Sequence, residues 1–590
     1  MGEITGSAVA DQTPTAPEAP PSWATRVAGA ARALGAQAHA LRWLIAANLF
    51  LISPVVVHAA LDAGEGKLDA VAGWHLLTSV LWLAAAQLLV RRPLPLLLAM
   101  TPLALVVVAD LFLVFVLRAR LTTSYLSVAA GNLIETPEFL QAYLPQVVLG
   151  LGLGLPLWGL CLWRLRGLTL PVRRAWAVVP LVAVLGLYGA VTWRQVRGGV
   201  RPGRALLDVV THDVNSPFGI FPQGWVTWRL HVEAAAAFAR SEGFRFDARR
   251  DPTPDDRPEL YVLVIGETSR PDRWGLNGYR RETSPRLSRT PGLLSFTDFV
   301  SQAASTQHAV PLMLTRATAD DLPQAYAERS VVSAFGEVGF RTFWLSTQEM
   351  SHWAGFIHRY AAEADVRRYF ERRHDGALLA PFAEIVAGVR RPGDKAFVVL
   401  QTMGSHFAFE NRYPPEFERF PVGGALSRRE RLDNAYDNTI LYTDHILAEL
   451  VGQLSRRDDL VSSLLFVSDH GENLLDDERR LFGHAIGTEQ DLRVAAFLWC
   501  SPALEARQPD LVRQARANVG LPLSSRHVVH SLVDVAGIRA DGFVRELSVF
   551  SAAPATPPRR FLAAGRVDDF DALFGPPRAT NAAALRPAGE

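Results

Sequence analysis

Glu259-Leu-Tyr-Val-Leu-Val-Ile-Gly266-Glu267-Thr268 is the stretch on which the reading of this chain turns. Tyr261 to Ile265 is an unbroken apolar run, rich in β-branched and aromatic side chains, that stops abruptly at Gly-Glu-Thr. Two later stretches have the same form. Phe397-Val-Val-Leu400 precedes Met403-Gly-Ser-His406, and Leu464-Leu-Phe-Val467 precedes Ser468-Asp-His-Gly-Glu472. Such runs lack the polar alternation of a half-exposed strand and suit strands buried on both faces of a mostly parallel sheet. Helical periodicity lies between them, as at 431–453, where Tyr436, Ile440, Thr443 and Leu447 recur every three or four residues. The expected fold of this part is therefore α/β. In an open α/β sheet, ligands bind beyond the carboxyl ends of the strands. Glu267, His406, Asp469 and His470 all stand at such ends, so groups far apart in sequence are expected to converge at one edge.

Upstream, the composition changes. Five apolar segments, at roughly 41–61, 74–90, 93–117, 145–164 and 177–193, follow one another with almost no charge. About 20 apolar residues cross a hydrocarbon core of ~30 Å, so these segments predict a bundle of five transmembrane helices. Arginines orient it. Arg26, Arg32 and Arg42 precede the first span, Arg91 and Arg92 join the second to the third, and Arg164, Arg166, Arg173 and Arg174 join the fourth to the fifth. The loop after the first span is acidic, with Asp62, Glu65 and Asp69. This places the N-terminus inside and everything beyond about residue 194 outside; Arg118 and Arg120 run against the pattern. Asp110 falls within the third span and is expected near the outer interface, where its carboxylate stays hydrated. The connection 118–144, with Tyr125, Asn132 and Glu135, is expected to lie as short amphipathic helices on the outer surface.

The expected divisions are a disordered tail at 1–25, a membrane domain at 26–193, a linker with one helical stretch around 226–241 at 194–257, a catalytic domain at 258–550, and a flexible tail at 551–590 that is rich in Ala, Pro and Arg. A net charge of +1 over 590 residues gives no sign of a nucleic-acid-binding surface. The two cysteines, Cys161 and Cys500, are far apart and have no CxxC neighbour, which argues against a zinc knuckle or redox motif.

The residues at the strand tips point to chemistry. Glu, Asp and His are metal ligands of the type zinc accepts. Phosphoryl transfer needs a cation to neutralise phosphoryl oxygens and a nucleophile made competent by coordination. Each motif also has a structural reading, such as Asp469 capping a turn or the histidines contacting backbone alone.

Taken in order, Val-Ile-Gly-Glu267-Thr-Ser-Arg-Pro-Asp272-Arg-Trp-Gly-Leu-Asn277-Gly-Tyr, Ser305-Thr306, Met403-Gly-Ser-His406, Ser468-Asp-His-Gly-Glu472 and Phe482-Gly-His484 resemble the bacterial phosphoethanolamine transferases. The resemblance implies five membrane spans before a periplasmic domain of the sulfatase and alkaline-phosphatase type, anchored in the inner membrane. It implies transfer of phosphoethanolamine from phosphatidylethanolamine to lipid A, a core sugar of lipopolysaccharide or another envelope glycan. By matching position, Glu267, Thr306, Asp469 and His470 would bind the catalytic Zn2+, with a second ion an added option. Thr306 would be the nucleophile, with Thr268 its rival, and His406 and His484 would hold phosphoryl oxygens or help bind a second metal. Donor contact is implied for the 118–144 connection. The chain departs from the pattern at Gln401, where many relatives have histidine, and in lacking the stapling disulfides.

Other activities share the fold. A sulfatase would need a C/S-x-P-x-R motif, but Cys500-Ser-Pro-Ala-Leu504 ends in Leu and follows the metal motif. Transfer of phosphoglycerol, or metal-dependent phosphodiester hydrolysis, would use the same ligands and is the alternative reading. A scaffold that kept the fold without catalysis is distinguished by metal content.

Overall fold

The computed structural model describes residues 23–64, 70–123, 125–126, 141, 143–170, 174–250, 252–348, 357–371 and 373–575. The expected disordered tail at 1–25 lies almost wholly outside these, as do Asn132 and Glu135 and most of the 118–144 connection.

Among the described residues, four helices are long and apolar enough to cross a membrane: Gln37–Gly64, Ala70–Leu88, Leu144–Arg164 and Arg174–Arg197. The third apolar segment is a pair, Pro93–Ala99 and Thr101–Leu117, bent by 59°. Pro102 accounts for the break, because it has no N–H to continue the ladder and its ring crowds the preceding turn. Counted as one span, the pair completes the five expected.

Asp110 departs from expectation. It is buried, and its partner is Arg120, one of the two arginines that ran against the orientation pattern. The Arg120 guanidinium forks onto the carboxylate, with Nε 3.0 Å and Nη2 2.8 Å from Oδ2, while the Leu121 amide donates to Oδ1 at 2.8 Å. Arg118 makes the contact reachable: it ends the helix in the left-handed conformation (φ 54°) and turns the chain back. Water is replaced here by a charge-assisted fork, and Arg120 ceases to be a free positive charge.

The linker holds two helices rather than one, Pro202–His212 and Ile220–Ser241. Gly198, Gly199, Pro202 and Gly203 hide the first one in the sequence, yet proline is well placed at a helix start. Between the two, the buried Asp213 carboxylate accepts from Thr78 Oγ1 (3.0 Å) and Asn215 Nδ2 (3.0 Å), meets His75 Nδ1 (2.9 Å), and takes the Tyr188 hydroxyl. This ties the linker to the second and fifth spans. The second linker helix turns Phe221, Trp225 and Trp228 outward, the side chains typical of a membrane–water boundary.

The α/β domain is built on seven strands: β1 (Glu259–Gly266), β2 (Leu294–Ser295), β3 (Arg341–Ser346), β4 (Val366–Tyr369), β5 (Lys395–Gln401), β6 (Val461–Ser468) and β7 (Ala496–Cys500). Their order across the sheet is β2-β7-β6-β1-β5-β3-β4. All neighbours from β6 to β4 are parallel; β7 runs antiparallel to both β6 and β2. The continuous apolar runs are explained by two cores. Tyr261, Leu263 and Ile265 pack on one face with Phe335, Phe397 and Leu532. Leu260, Val262 and Val264 pack on the other with Phe382, Tyr436 and Ile440.

The C-terminal segment from 551 is not a free tail over its described part. Arg560–Ala563 (β8) and Arg566–Asp569 (β9) form an antiparallel hairpin, followed by the helix Phe570–Phe574. Ala564 (φ 48°) and Gly565 (φ 77°) make its two-residue turn, both at the positive φ that a tight hairpin of this twist requires. The buried Phe561 and Phe570 anchor the unit, and Arg559 pairs with Asp298 and Asp571.

Removing one partner of a buried ion pair leaves an uncompensated charge and costs about 3 kcal/mol or more. Arg120→Ala is therefore expected to destabilise the detergent-solubilised chain by about 3 kcal/mol, and adding Asp110→Asn should recover most of the loss in the same unfolding measurement.

Candidate active site

Strand register creates the site. Ile265 on β1 is level with Gln401 on β5 and Val467 on β6, and Gly266 is level with Ser468. The first residues past each strand, Glu267, Thr402–Met403 and Asp469, therefore emerge side by side. The Thr268 backbone is left-handed (φ 58°), a costly conformation for a β-branched residue. It is held there by Asp469 Oδ1, which accepts the Thr268 amide at 3.2 Å, and by the Tyr436 hydroxyl, which donates to the Thr268 carbonyl at 2.6 Å. Tyr436 comes from the long helix Arg428–Ser455. The turn after β5 presses against the same point: a Cβ on Gly404 (φ 50°) would stand 2.7 Å from the Glu267 carbonyl.

Glu267, Asp469 and His470 are buried and offer ligand atoms all within 4.8 Å of one another. His470 Nε2 is 3.3 Å from Glu267 Oε1 and 3.5 Å from Asp469 Oδ2. Its Nδ1 is 2.9 Å from the Gly471 carbonyl. A carbonyl only accepts, so Nδ1 carries the hydrogen and Nε2 presents a lone pair to the carboxylates. Burial holds the His470 imidazole below its ordinary pKa, which keeps it neutral. Asp469 Oδ2 is a buried oxygen with no hydrogen-bond partner among the described residues. Two carboxylates, a neutral imidazole lone pair and an unsatisfied buried oxygen facing one point fit a divalent cation.

Thr306 joins this group from another element. It opens the helix Thr306–Leu314, and its hydroxyl is 3.1 Å from both Glu267 Oε2 and His470 Nε2. Thr268, the rival nucleophile, is fully buried and donates its hydroxyl to Glu267 Oε1 at 2.7 Å; it positions the carboxylate rather than facing open space. His484 lies against His470, with ring centroids 4.2 Å apart and the rings tilted by 37°, and His406 lies 5.9 Å beyond His484. All six residues expected at the site are thus gathered there.

Several neighbours were not anticipated. Glu472 meets His484 Nδ1 at 3.2 Å through Oε2; burial raises this carboxyl to about 8, while burial lowers the His484 imidazole. The C-terminal hairpin walls the threonine loop: the Leu562 amide donates to the Gln302 carbonyl at 2.8 Å, and the Ala304 amide donates to the Leu562 carbonyl at 3.2 Å. Its tip, with Tyr125, Ser305, His308 and Ala485, lines a small cavity. Contacts also come from the membrane side. Tyr143 donates its hydroxyl to the Phe482 carbonyl at 3.2 Å, and Tyr125 donates to Ala485 at 3.4 Å, flanking His484. Cys500 is remote: its strand is antiparallel, and it pairs with Ser463 toward the start of β6. The sulfatase-type cysteine is therefore at the opposite end of the sheet from the ligands.

Comparison with known proteins agrees with this geometry. Residues 259–538 match the Sulfatase family model, so the chain carries a sulfatase-family domain. Its relatives narrow the class. The chain is 27% identical over 313 residues to phosphoethanolamine transferase EptC of Escherichia coli, covering 49% of this chain and 52% of that protein, about half of its length. It is 29% identical over 399 residues to phosphatidylethanolamine transferase Mcr-1 of Escherichia coli, covering 62% of this chain and 71% of the relative. Among solved structures, the periplasmic domain of Escherichia coli EptC in complex with Zn matches with a TM-score of 0.50 at 25% identity, over 55% of this chain and 95% of that one. The integral membrane protein EptA of Neisseria meningitidis matches in fold with a TM-score of 0.65 at 20% identity, over 87% and 99%. With its apolar N-terminal helices, the chain is an inner-membrane protein whose sulfatase-family domain stands on the periplasmic side.

Two substitutions test the architecture. Gly404→Ala should push Glu267 out of place and sharply reduce metal uptake, read as metal content of the purified protein. Phe561→Ala should cost about 3 kcal/mol as a core truncation and should make the loop before Thr306 more open to hydrogen exchange.

Proposed function

We propose that this chain transfers phosphoethanolamine from phosphatidylethanolamine to a lipopolysaccharide acceptor, lipid A or a core sugar, or to a related envelope glycan, through a phospho-threonine at Thr306. The observation that carries the reading is the Thr306 hydroxyl, 3.1 Å from both Glu267 Oε2 and His470 Nε2. Glu267, Asp469, His470 and Thr306 would hold Zn2+. Bound there, the ion would supply the positive charge that favours an ionised threonine hydroxyl and neutralises phosphoryl oxygens. The names of the relatives and the zinc complex of the EptC domain support the same assignment.

The chain's own residues perform the rest. The Thr306 oxygen, held beside Glu267 Oε2 and His470 Nε2, gives up its proton and attacks phosphorus. The Oγ–P bond forms as the bond from phosphorus to the diacylglycerol oxygen breaks, and that oxygen leaves with a proton. An acceptor oxygen then attacks the same phosphorus, the Oγ–P bond breaks, and the acceptor's proton restores the Thr306 hydroxyl. Thr306 starts a helix of nine residues, whose N-terminal dipole favours the phosphate. His406 and His484 would steady the phosphoryl oxygens; burial lowers both imidazoles, so they act as neutral groups. Tethering helps because donor and acceptor lie in membranes, which raises their effective concentration at the site.

Intact-peptide mass spectrometry after incubating detergent-purified protein with phosphatidylethanolamine tests this. A phosphoethanolamine adduct is expected on the Thr306 peptide and not in Thr306→Ala. An adduct on Thr268 would overturn the nucleophile, and no adduct on zinc-loaded protein would overturn the donor.

A further inference from the structure

Glu267 is held from a direction that neither the motifs nor the threonine account for. Gln348, two residues past β3, donates Nε2–H to Glu267 Oε2 at 2.9 Å and lies 3.0 Å from the Thr402 carbonyl. Behind it, Gln401 at the end of β5 donates its own Nε2–H to Gln348 Oε1 at 2.6 Å. The Ser346 hydroxyl donates to Gln401 Oε1 at 3.3 Å, and the Gln348 amide donates to Ser346 Oγ at 3.1 Å. Ser346 and Gln401 are both buried.

The direction of every bond in this row follows from its first member. A carboxylate only accepts, so Gln348 must turn its NH2 toward Glu267 and its oxygen away. That oxygen needs a donor, which fixes the Gln401 amide with its NH2 forward and its oxygen on the serine hydroxyl. Two carboxamides therefore carry one orientation from the sheet edge to the Glu267 carboxylate. Thr268 holds the other carboxylate oxygen at 2.7 Å, so both oxygens are fixed, with Oε1 3.3 Å from His470 Nε2 and Oε2 3.1 Å from the Thr306 hydroxyl. Amides do this without charge. A lysine or arginine in the same place would also orient the carboxylate, but its positive charge would oppose a cation a few ångströms away.

We infer that Gln348 and Gln401 form an amide relay that orients Glu267 toward the bound cation, making Gln348 a positioning residue of the metal site. The inference rests on the reading of Glu267, Asp469 and His470 as zinc ligands. Partners that orient metal ligands typically govern 10- to 100-fold in metal affinity.

The test is the zinc dissociation constant of the detergent-purified full chain, measured by competition with a chromogenic chelator, beside the melting temperature of the metal-free protein. Gln348→Met, similar in size but without the donor, should weaken zinc binding about 10-fold or more while the metal-free protein melts as the wild type does. Gln401→Met should weaken it in the same direction but less, and the double variant should be no worse than Gln348→Met alone. Gln348→Leu repeats the first measurement with a different shape, in case methionine packs badly. Unchanged affinity in Gln348→Met and Gln348→Leu overturns the relay, as does an additive double variant. Failure of the wild type itself to bind zinc overturns the metal-site reading, and the relay with it.

Discussion

Two buried carboxylates set the terms for the rest of this structure. Glu267 and Asp469 stand side by side out of water, and the basic group that pairs with both is His470, which burial keeps neutral. Like charges in a low-dielectric setting repel strongly, and each carboxylate carries a desolvation cost of several kcal/mol. A fold tolerates that only if something compensates. Here the backbone amides of Thr268 and His470 serve Asp469 Oδ1, a hydroxyl and an amide serve Glu267, and Asp469 Oδ2 is left for a cation. The register of β1 with β5 and β6, the strained Thr268 turn, and the close approach of Gly404 all serve to keep these groups where their mutual repulsion makes a cation welcome.

Much of this was legible in the sequence because parallel strands buried on both faces leave an unmistakable signature. Tyr261–Ile265 reads as apolar throughout since its alternate residues enter two different cores. Once strands are located, the topology of an open sheet dictates that their carboxyl ends share an edge, so Glu267, His406, Asp469 and His470 could be grouped before any geometry was known. Thr306 had no such signal of its own. It follows a short strand and a loop, and only its resemblance to a motif marked it.

What stayed hidden did so for physical reasons. Gln348 lies just past a strand in a stretch without periodicity, and its importance is a matter of one hydrogen bond across 81 residues of sequence. The Asp110 partner was obscured because Arg120 reaches it only after Arg118 adopts a left-handed turn, a conformation no propensity predicts for arginine. The C-terminal hairpin was masked by its composition: Ala and Arg dominate, and the apolar positions that matter are few. In retrospect Phe561, Leu562 and Val567 about the Ala564-Gly565 turn were the signal, a pair of short strands too weakly apolar to stand out.

The hydroxyls of Tyr143 and Tyr125 meet the loop that carries His484 on either side of it. Tyr143 stands at the start of the fourth span. The height of the His484 loop above the end of that span is thereby set by direct contact rather than by the length of the linker, much as the length of a crane arm sets where its hook can hang.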